Sequence, residues 1–295
     1  MKIGEPTLDQ LRIFLAVVDE GSFGGAARRM GRAISAISYG VAQMEALLDI
    51  TLFDREGSRK PVLTDAGRGI LAEARSVVDR SDGLLAKTQS LHEGLESSLA
   101  LAIDVMVPGQ TTANVLREFS KEFPTVSLRL QVDGLGAIAA CVLGGDADLA
   151  IGGPPTLGID GLERQRIGDV TLLPVASPDH PLASATVRSG ESREHLQLVL
   201  SDRSTITQGR EYSVLSPLSW RLGDLGAKHA LLRQGIGWGN MPAWMIAGDL
   251  ETGQLVALDL PEKPGTNYSL DALWRRDTKP GRAAQWLIDA FAKAL

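Results

Sequence analysis

Apolar residues recur at helical spacing through the first third of the chain and in alternating strand-like and helix-like runs after it. Leu8, Leu11, Phe14, Leu15 and Val18 define one amphipathic helix, capped by Thr7 or Asp9 and ending near Gly21. Ser22 is an N-cap candidate for a second helix reaching Met30, with Phe23, Ala26, Ala27 and Met30 on one narrow apolar face. Gly31-Arg32-Ala33 makes a turn. A third helix runs from about Ile34 to Leu48, with Ile37, Val41, Met44, Leu47 and Leu48 inward and Ser35, Ser38, Tyr39, Ala42 and Gln43 outward. A short helix, a glycine turn and a longer helix with a small polar outer face form the helix-turn-helix pattern. The small Ala26-Ala27 pair lets the two helices cross closely.

Leu52-Phe53 and Val62-Leu63 flank a polar tip, Glu56 to Lys60, which reads as a β-hairpin and so as a wing. Thr64 then caps a long helix to about Glu93. Ile70, Ala74, Val77, Ser81, Leu84, Thr88, Leu91 and Leu95 follow alternating steps of four and three, the seam of a two-stranded coiled coil. Dimerisation is the favoured use of that stripe; packing on the following domain is the alternative.

From Leu99 onward strands and helices alternate. Strands are expected at Leu99–Val107, Val126–Val132, Asp148–Gly152, Val170–Ala176, Leu198–Leu200, Leu218–Leu222, Gln254–Leu258 and Tyr268–Trp274. Helices are expected at Ala113–Phe123, Leu135–Leu143, Leu225–Gln234, up to about Leu250, and from Gly281. This order argues for a parallel α/β sheet. The fold class is multidomain: an all-α-rich winged helix-turn-helix N-terminal domain, a long linker helix, and an α/β domain of two subdomains, whose two crossings by the chain resemble periplasmic binding proteins. The expected boundaries are 1–65, 66–95 and 96–295, with lobe I at 96–168 and 269–295 and lobe II at 169–268.

Charge changes this picture locally. The whole 295-residue chain carries −6, so long-range steering towards a polyanion is weak. Between Gly21 and Met44, however, Arg28, Arg29 and Arg32 occur without any acid, and Arg55, Arg59 and Lys60 fall on the wing. Cations so clustered suit phosphate contact; the bland alternative is a solvated helical hairpin. Hydrophobic content of 44% provides ample core. The lone cysteine, Cys141, excludes an intramolecular disulfide and reads as a small buried apolar residue. The four histidines, His92, His180, His195 and His229, show no metal-ligand spacing, and His229 reads as structural. Gly235-x-Gly-x-Gly239 lacks the spacing of a nucleotide fingerprint, and no Gly-x-Ser-x-Gly string occurs. No metal, cofactor or enzymatic activity is therefore expected. No signal peptide or membrane-length apolar run is visible, so the expected location is cytoplasmic, with no membrane partner.

Several marks occur in order: Phe14 with Val17, Gly21-Ser22-Phe23, Ala26-Ala27, Ser35-Ala36-Ile37-Ser38, Glu45, Leu52-Phe53-Asp54-Arg55 and Leu63-Thr64-Asp65-Ala66-Gly67. With them the first 95 residues resemble the N-terminal part of LysR-type transcriptional regulators, and the remainder resembles their effector domain more weakly. One departure stands out: where many members have Ser-Gln, this chain has Ala33-Ile34. Ile34 cannot hydrogen-bond a base edge, though it can contact a thymine methyl. The resemblance implies a ligand-responsive regulator on double-stranded DNA, a homodimer through the linker helix, a homotetramer that bends DNA, and a small-molecule effector between the lobes. Contact with RNA polymerase is compatible with that role. A solute-binding or enzymatic α/β protein with an N-terminal dimerisation module is the alternative from another class.

The expected DNA-contacting residues are Ser35, Ser38, Tyr39 and Gln43 for base or phosphate contact. Arg28, Arg29, Arg32, Arg55, Arg59 and Lys60 are expected on the backbone and wing. Ligands of open α/β sheets sit beyond the carboxyl ends of strands. That rule selects Gln110, Thr111 and Thr112, then Asp133 and Gly134, then Ser201, Asp202 and Ser204, and finally Gly237 and Trp238. Helix capping by the threonines and a simple polar turn at Asp202-Arg203-Ser204 are the competing readings.

Overall fold

The computed structural model describes residues 4–54, 61–92, 95–183, 187–202, 204–206, 212–262 and 265–295. The chain forms two compact units, Met1–Gln89 and Ser90–Leu295.

In the first unit, helix α1 spans Leu8–Glu20. Thr7 caps it through a reciprocal pair with Gln10, and Gly21 closes it in the left-handed conformation. Helix α2, Phe23–Met30, starts on the Ser22 hydroxyl, which accepts from the Gly25 amide at 3.0 Å. Gly31, at φ 64°, ends it and turns the chain into α3, Ile34–Leu48. Phe14, Val17, Ala26, Ile37, Val41 and Met44 are buried together. Gly40 makes the α1–α3 approach possible, since a Cβ there would lie 2.6 Å from Ile13 Cδ1. Strands β1 (Phe53–Asp54) and β2 (Val62–Leu63) form the antiparallel hairpin. The Glu45 carboxylate fixes its start by accepting from the Leu52 amide at 2.7 Å, and Phe53 packs its ring on Phe14 and Phe23.

Helix α4, Asp65–His92, begins on the Thr64 hydroxyl, which accepts from Gly67 at 2.9 Å. Its 28 residues extend about 42 Å. The expected continuous seam is divided. Ala74 is buried and Ile70 partly buried in the helix-turn-helix core, together with Leu71 and Val78. Beyond them Val77, Leu84 and Leu85 face solvent, Leu84 being 67% exposed. A helix with 3.6 residues per turn drifts across a 3.5-residue stripe, so its first turns serve their own domain. Leu95 lies beyond the helix and packs instead on the core of the second unit.

The second unit is built on a nine-stranded sheet among the described residues. Its strands are β3 (Ser98–Asp104), β4 (Ser127–Asp133), β5 (Leu149–Gly152), β6 (Leu162–Ala176), β7 (Gln197–Leu200), β8 (Ser219–Leu222), β9 (Trp238–Pro242), β10 (Val256–Ala257) and β11 (Thr266–Arg275). The order is β4-β3-β5-β11-β6-β9-β7-β8, with β10 on β6. Each flank is parallel, as β3 pairs with β4 and β5, and β7 pairs with β8 and β9. The centre is not: β6 and β11 run antiparallel over ten residue pairs, with a bulge at Leu270/Asp271. The expected all-parallel sheet is thus corrected to a mixed one. One strand carries the chain out to the second half and the other carries it back, so the two must oppose each other.

Helices α5 (Gly109–Glu122), α6 (Gly136–Gly144), α7 (Leu225–Arg233), α8 (Ala243–Thr252) and α9 (Arg282–Ala294) cover the sheet. In α9, Ala284, Leu287, Ile288 and Phe291 recur at three- and four-residue steps and are buried. Trp286 of α9 meets Phe119 and Phe123 edge-on at 5.9 Å. Cys141 is buried on α6, and desolvation raises its thiol pKa. No helix among the described residues is long and apolar enough to cross a membrane.

Candidate functional site

Two surfaces carry the candidate residues. On α3 the inward stripe of Ile37, Val41 and Met44 is fully buried, which turns the opposite side outward. That side presents Ser35 and Tyr39, with Ser38 half-buried at its edge; Tyr39 is 66% exposed. Gln43 is also exposed, and its amide donates to the Tyr39 hydroxyl at 3.1 Å, so the two act as one polar group. Ile34 is 57% exposed at the first turn, and Ala33 at the N-cap supplies no capping side chain. A large apolar residue left in water at that place suits an apolar partner such as a thymine methyl.

The arginines differ from one another. Arg28 is exposed and pairs with no acid among the described residues, whereas Arg29 faces Asp19 and Glu20 at 3.4 and 3.5 Å. Arg32 bonds Asp9 at 2.8 Å, and this partner lowers the Asp9 pKa. Asp19 also takes Arg75 of α4 at 2.7 Å, and Arg12 pairs with Asp82. Arg29 and Arg32 therefore spend part of their charge on α1, which a count of cations along the turn does not reveal. Arg55, Arg59 and Lys60 lie outside the described residues.

In the second unit the ten expected effector residues separate into four groups. Asp133, Gly134 and Ser201 line one depression of about 280 Å³, together with Val105 and Asp224. Gln110, Thr111 and Thr112 do not line it. Helix α5 starts at Gly109, earlier than expected, so all three fall in its first turn; the N-cap is Pro108, and Gln110 bonds Asn114 at 3.2 Å. The threonines are thus not the caps that the sequence suggested. The Asp202 carboxylate accepts from Gly136 at 2.9 Å and from Ser204 at 2.8 Å, tying the loop after β7 to the start of α6. Ser204 Oγ is buried without a hydrogen-bond partner among the described residues.

Gly237 and Trp238 are corrected. Trp238 is fully buried in β9, and its indole donates to the Ser192 carbonyl at 3.1 Å. Gly237, at φ 66°, lies so close to the Leu196 carbonyl that a Cβ would be 2.4 Å from it. The stretch expected to be a loop runs into a strand, so its residues serve packing.

A second cavity, of about 70 Å³, is one that sequence reasoning missed. Met106 and Leu135 line it from the first half of the sheet, Leu200, Lys228 and Asn240 from the second, and Tyr268 from the central strand β11. Behind Tyr268 lies Asp104, fully buried at the end of β3. The Tyr268 hydroxyl donates to it at 2.8 Å and the Met106 amide at 3.0 Å. Burial pushes the Asp104 carboxyl up to about 6, and burial beside Asp104 holds the Tyr268 hydroxyl well above its usual range. Burial also brings Lys228 down to about 8. The usable signal in the sequence was a charged residue on an otherwise apolar helix face, Lys228, and an acid closing an apolar strand, Asp104.

His229 pairs with Asp249, and His180 and His195 stack edge-on at 5.2 Å although distant in sequence. Among the described residues no group of three or more His, Cys, Asp or Glu is placed to hold a metal.

Comparison with known proteins agrees with this architecture. Residues 8–68 match the bacterial regulatory helix-turn-helix family of lysR type, and residues 92–295 match the LysR substrate-binding domain. The HTH-type transcriptional regulator AceR of Acinetobacter baumannii is 27% identical, covering 95% of each chain. PunR of Escherichia coli K12 is 29% identical, over 95% of this chain and 90% of its own. Among solved structures, a Corynebacterium glutamicum OxyR C206 mutant superposes with TM-score 0.56 at 20% identity, covering 100% of this chain and 94% of its own. LysG of the same organism, solved with bound effector Arg, reaches 0.50 at 21% identity, over 98% and 97% of the two chains. With a DNA-binding unit and an effector-binding unit each matched along its length, this chain belongs to the LysR family of helix-turn-helix transcriptional regulators.

Proposed function

We propose that this regulator reads an interrupted inverted repeat by laying α3 in the major groove, and that a small molecule held between the two halves of the effector-binding sheet changes the response. The observation that carries the reading is the division of α3: Ile37, Val41 and Met44 wholly buried, and Ser35, Tyr39 and Ile34 turned out. Exposed Val77, Leu84 and Leu85 on α4 support a twofold mate through the linker helix, which sets the half-site spacing. A tetramer that bends DNA is the corresponding assembly. The 70 Å³ cavity and the 280 Å³ depression support an effector site within residues 96–295, with lobes at 96–168 plus 269–295 and at 169–268. The LysG structure, solved with its effector Arg, supports the same use of the fold here.

Gel-shift titration of genomic fragments across a salt series tests the DNA reading. A preferred fragment and a steep fall of affinity with salt are expected. Ser35→Ala with Tyr39→Ala should remove about 1–3 kcal/mol of discrimination for each base edge no longer read, while sparing non-specific binding. Salt-independent binding without fragment preference would instead favour a solute-binding protein whose helices only dimerise it.

A further inference from the structure

The cavity between the two halves of the sheet contains a buried cation that no carboxylate neutralises among the described residues. Lys228 is 3% exposed. Its ammonium has three N–H donors. Among the described residues it makes one hydrogen bond, to the Asn240 carbonyl at 2.7 Å, and it faces no carboxylate. The fold makes room for it: a Cβ on Gly239 would stand 2.9 Å from Lys228 Cε. A buried ammonium is costly unless paired, so one left with spare donors beside a void is a site prepared for an anion. Apolar walls come from Met106, Leu135, Leu198 and Leu200, and Gln197, Tyr212, Ser213 and Tyr268 line it as well.

We propose that the effector is a small organic anion whose carboxylate pairs with Lys228 while its short apolar body fills the space against Met106, Leu135 and Leu200. This rests on the effector reading above and gives that effector a chemical class. Both halves of the sheet line the cavity, so an anion there binds the closed arrangement more tightly than an open one. At about 10–15 Å³ per water-sized occupant, a 70 Å³ void takes roughly five non-hydrogen atoms. Acetate fits that size; larger acids require the two halves to part.

The test is thermal unfolding of the full-length protein with sodium acetate, with its neutral isostere acetamide, and with Lys228→Met in the same series. For a dissociation constant on the order of 1 mM, acetate at about 20 mM should raise the wild-type Tm by about 4 °C or more. Acetamide should not, and K228M should lose the response. Met replaces the lysine stem without a charge to bury, so the variant is expected to fold.

Should K228M not fold, the pH series in the wild type decides. Acetate stays ionised throughout, so its effect should fade between about pH 7 and about pH 9, as Lys228 loses its proton. The other titratable groups at the cavity do not copy this. Asp104 changes near 6 and Tyr268 well above 10. No charged group on β6, β7, β8 or β9 contributes to the Lys228 shift, whose sole cause is burial.

Equal shifts by acetate and acetamide, an acetate shift of the same size in K228M, or no shift at all would overturn the proposal. The wild-type gel shift separates the two readings. Salt-steep DNA binding without an acetate response removes only the anion site. An acetate response without DNA binding removes only the regulator.

Discussion

Replacing Asp104 with asparagine gives a sharp test of the buried contact behind Tyr268. Asp104 is buried at the end of β3 with Tyr268 and Met106 donating to its two oxygens. Desolvation is the largest influence on it and carries its carboxyl from an ordinary 3.8 to about 6. The folded state thus holds this proton more tightly than the unfolded chain does. Its contribution to stability is fully present below 3.8 and is lost as pH rises through 6. At 1.36 kcal/mol per pH unit the whole effect is about 3 kcal/mol. The asparagine of D104N has no proton to lose and keeps the side-chain shape, so it shifts stability by a constant amount at all pH values. Urea unfolding of both proteins at several pH values between about 4 and about 7 should show wild type losing about 2 kcal/mol relative to D104N. Carboxylates held low elsewhere, such as Glu191 and Glu262, cancel in the difference. A gap that stays flat across this range, or one that narrows as pH rises, would refute the burial argument.

Other consequences follow from single contacts. Ser22→Ala removes the cap of α2 and should cost about 1 kcal/mol, read as faster hydrogen exchange of the α2 amides in the full chain. Gly153→Ala puts a methyl 2.0 Å from Tyr268 ring carbons, and the enclosed ring has little room to yield. A loss of about 1–3 kcal/mol in urea unfolding is expected; an unchanged midpoint would show that the ring does not lie over Gly153.

Much of the DNA-binding unit was legible from residue spacing because its determinants are local. Thr7 and Ser22 cap, Gly21 and Gly31 end helices, and Ile37, Val41 and Met44 mark the face that must leave water. Each needs only the neighbours within a turn or two of helix. The alternation after Leu99 likewise located most strands and helices. The sense of the central pair and the status of Gly237-Trp238 were not legible. A strand does not encode whether its neighbour runs with it or against it, and a glycine-rich segment suits a loop as well as a strand pressed against another backbone.

The sequence alone determined the class of the protein: three short helices, two of them capped by side chains, a hairpin, a long helix and an α/β unit, all set by short-range periodicity. Tertiary structure decided which charges remain available and where a ligand can lodge. Arg29 and Arg32 are engaged by acids distant in the chain, and the threonines after the first effector strand turn into helix. Lys228, Asn240 and Tyr268 meet at one cavity although up to forty positions separate them in the chain. Burial and pairing are properties of atoms brought close by the fold, and no window along the chain contains them.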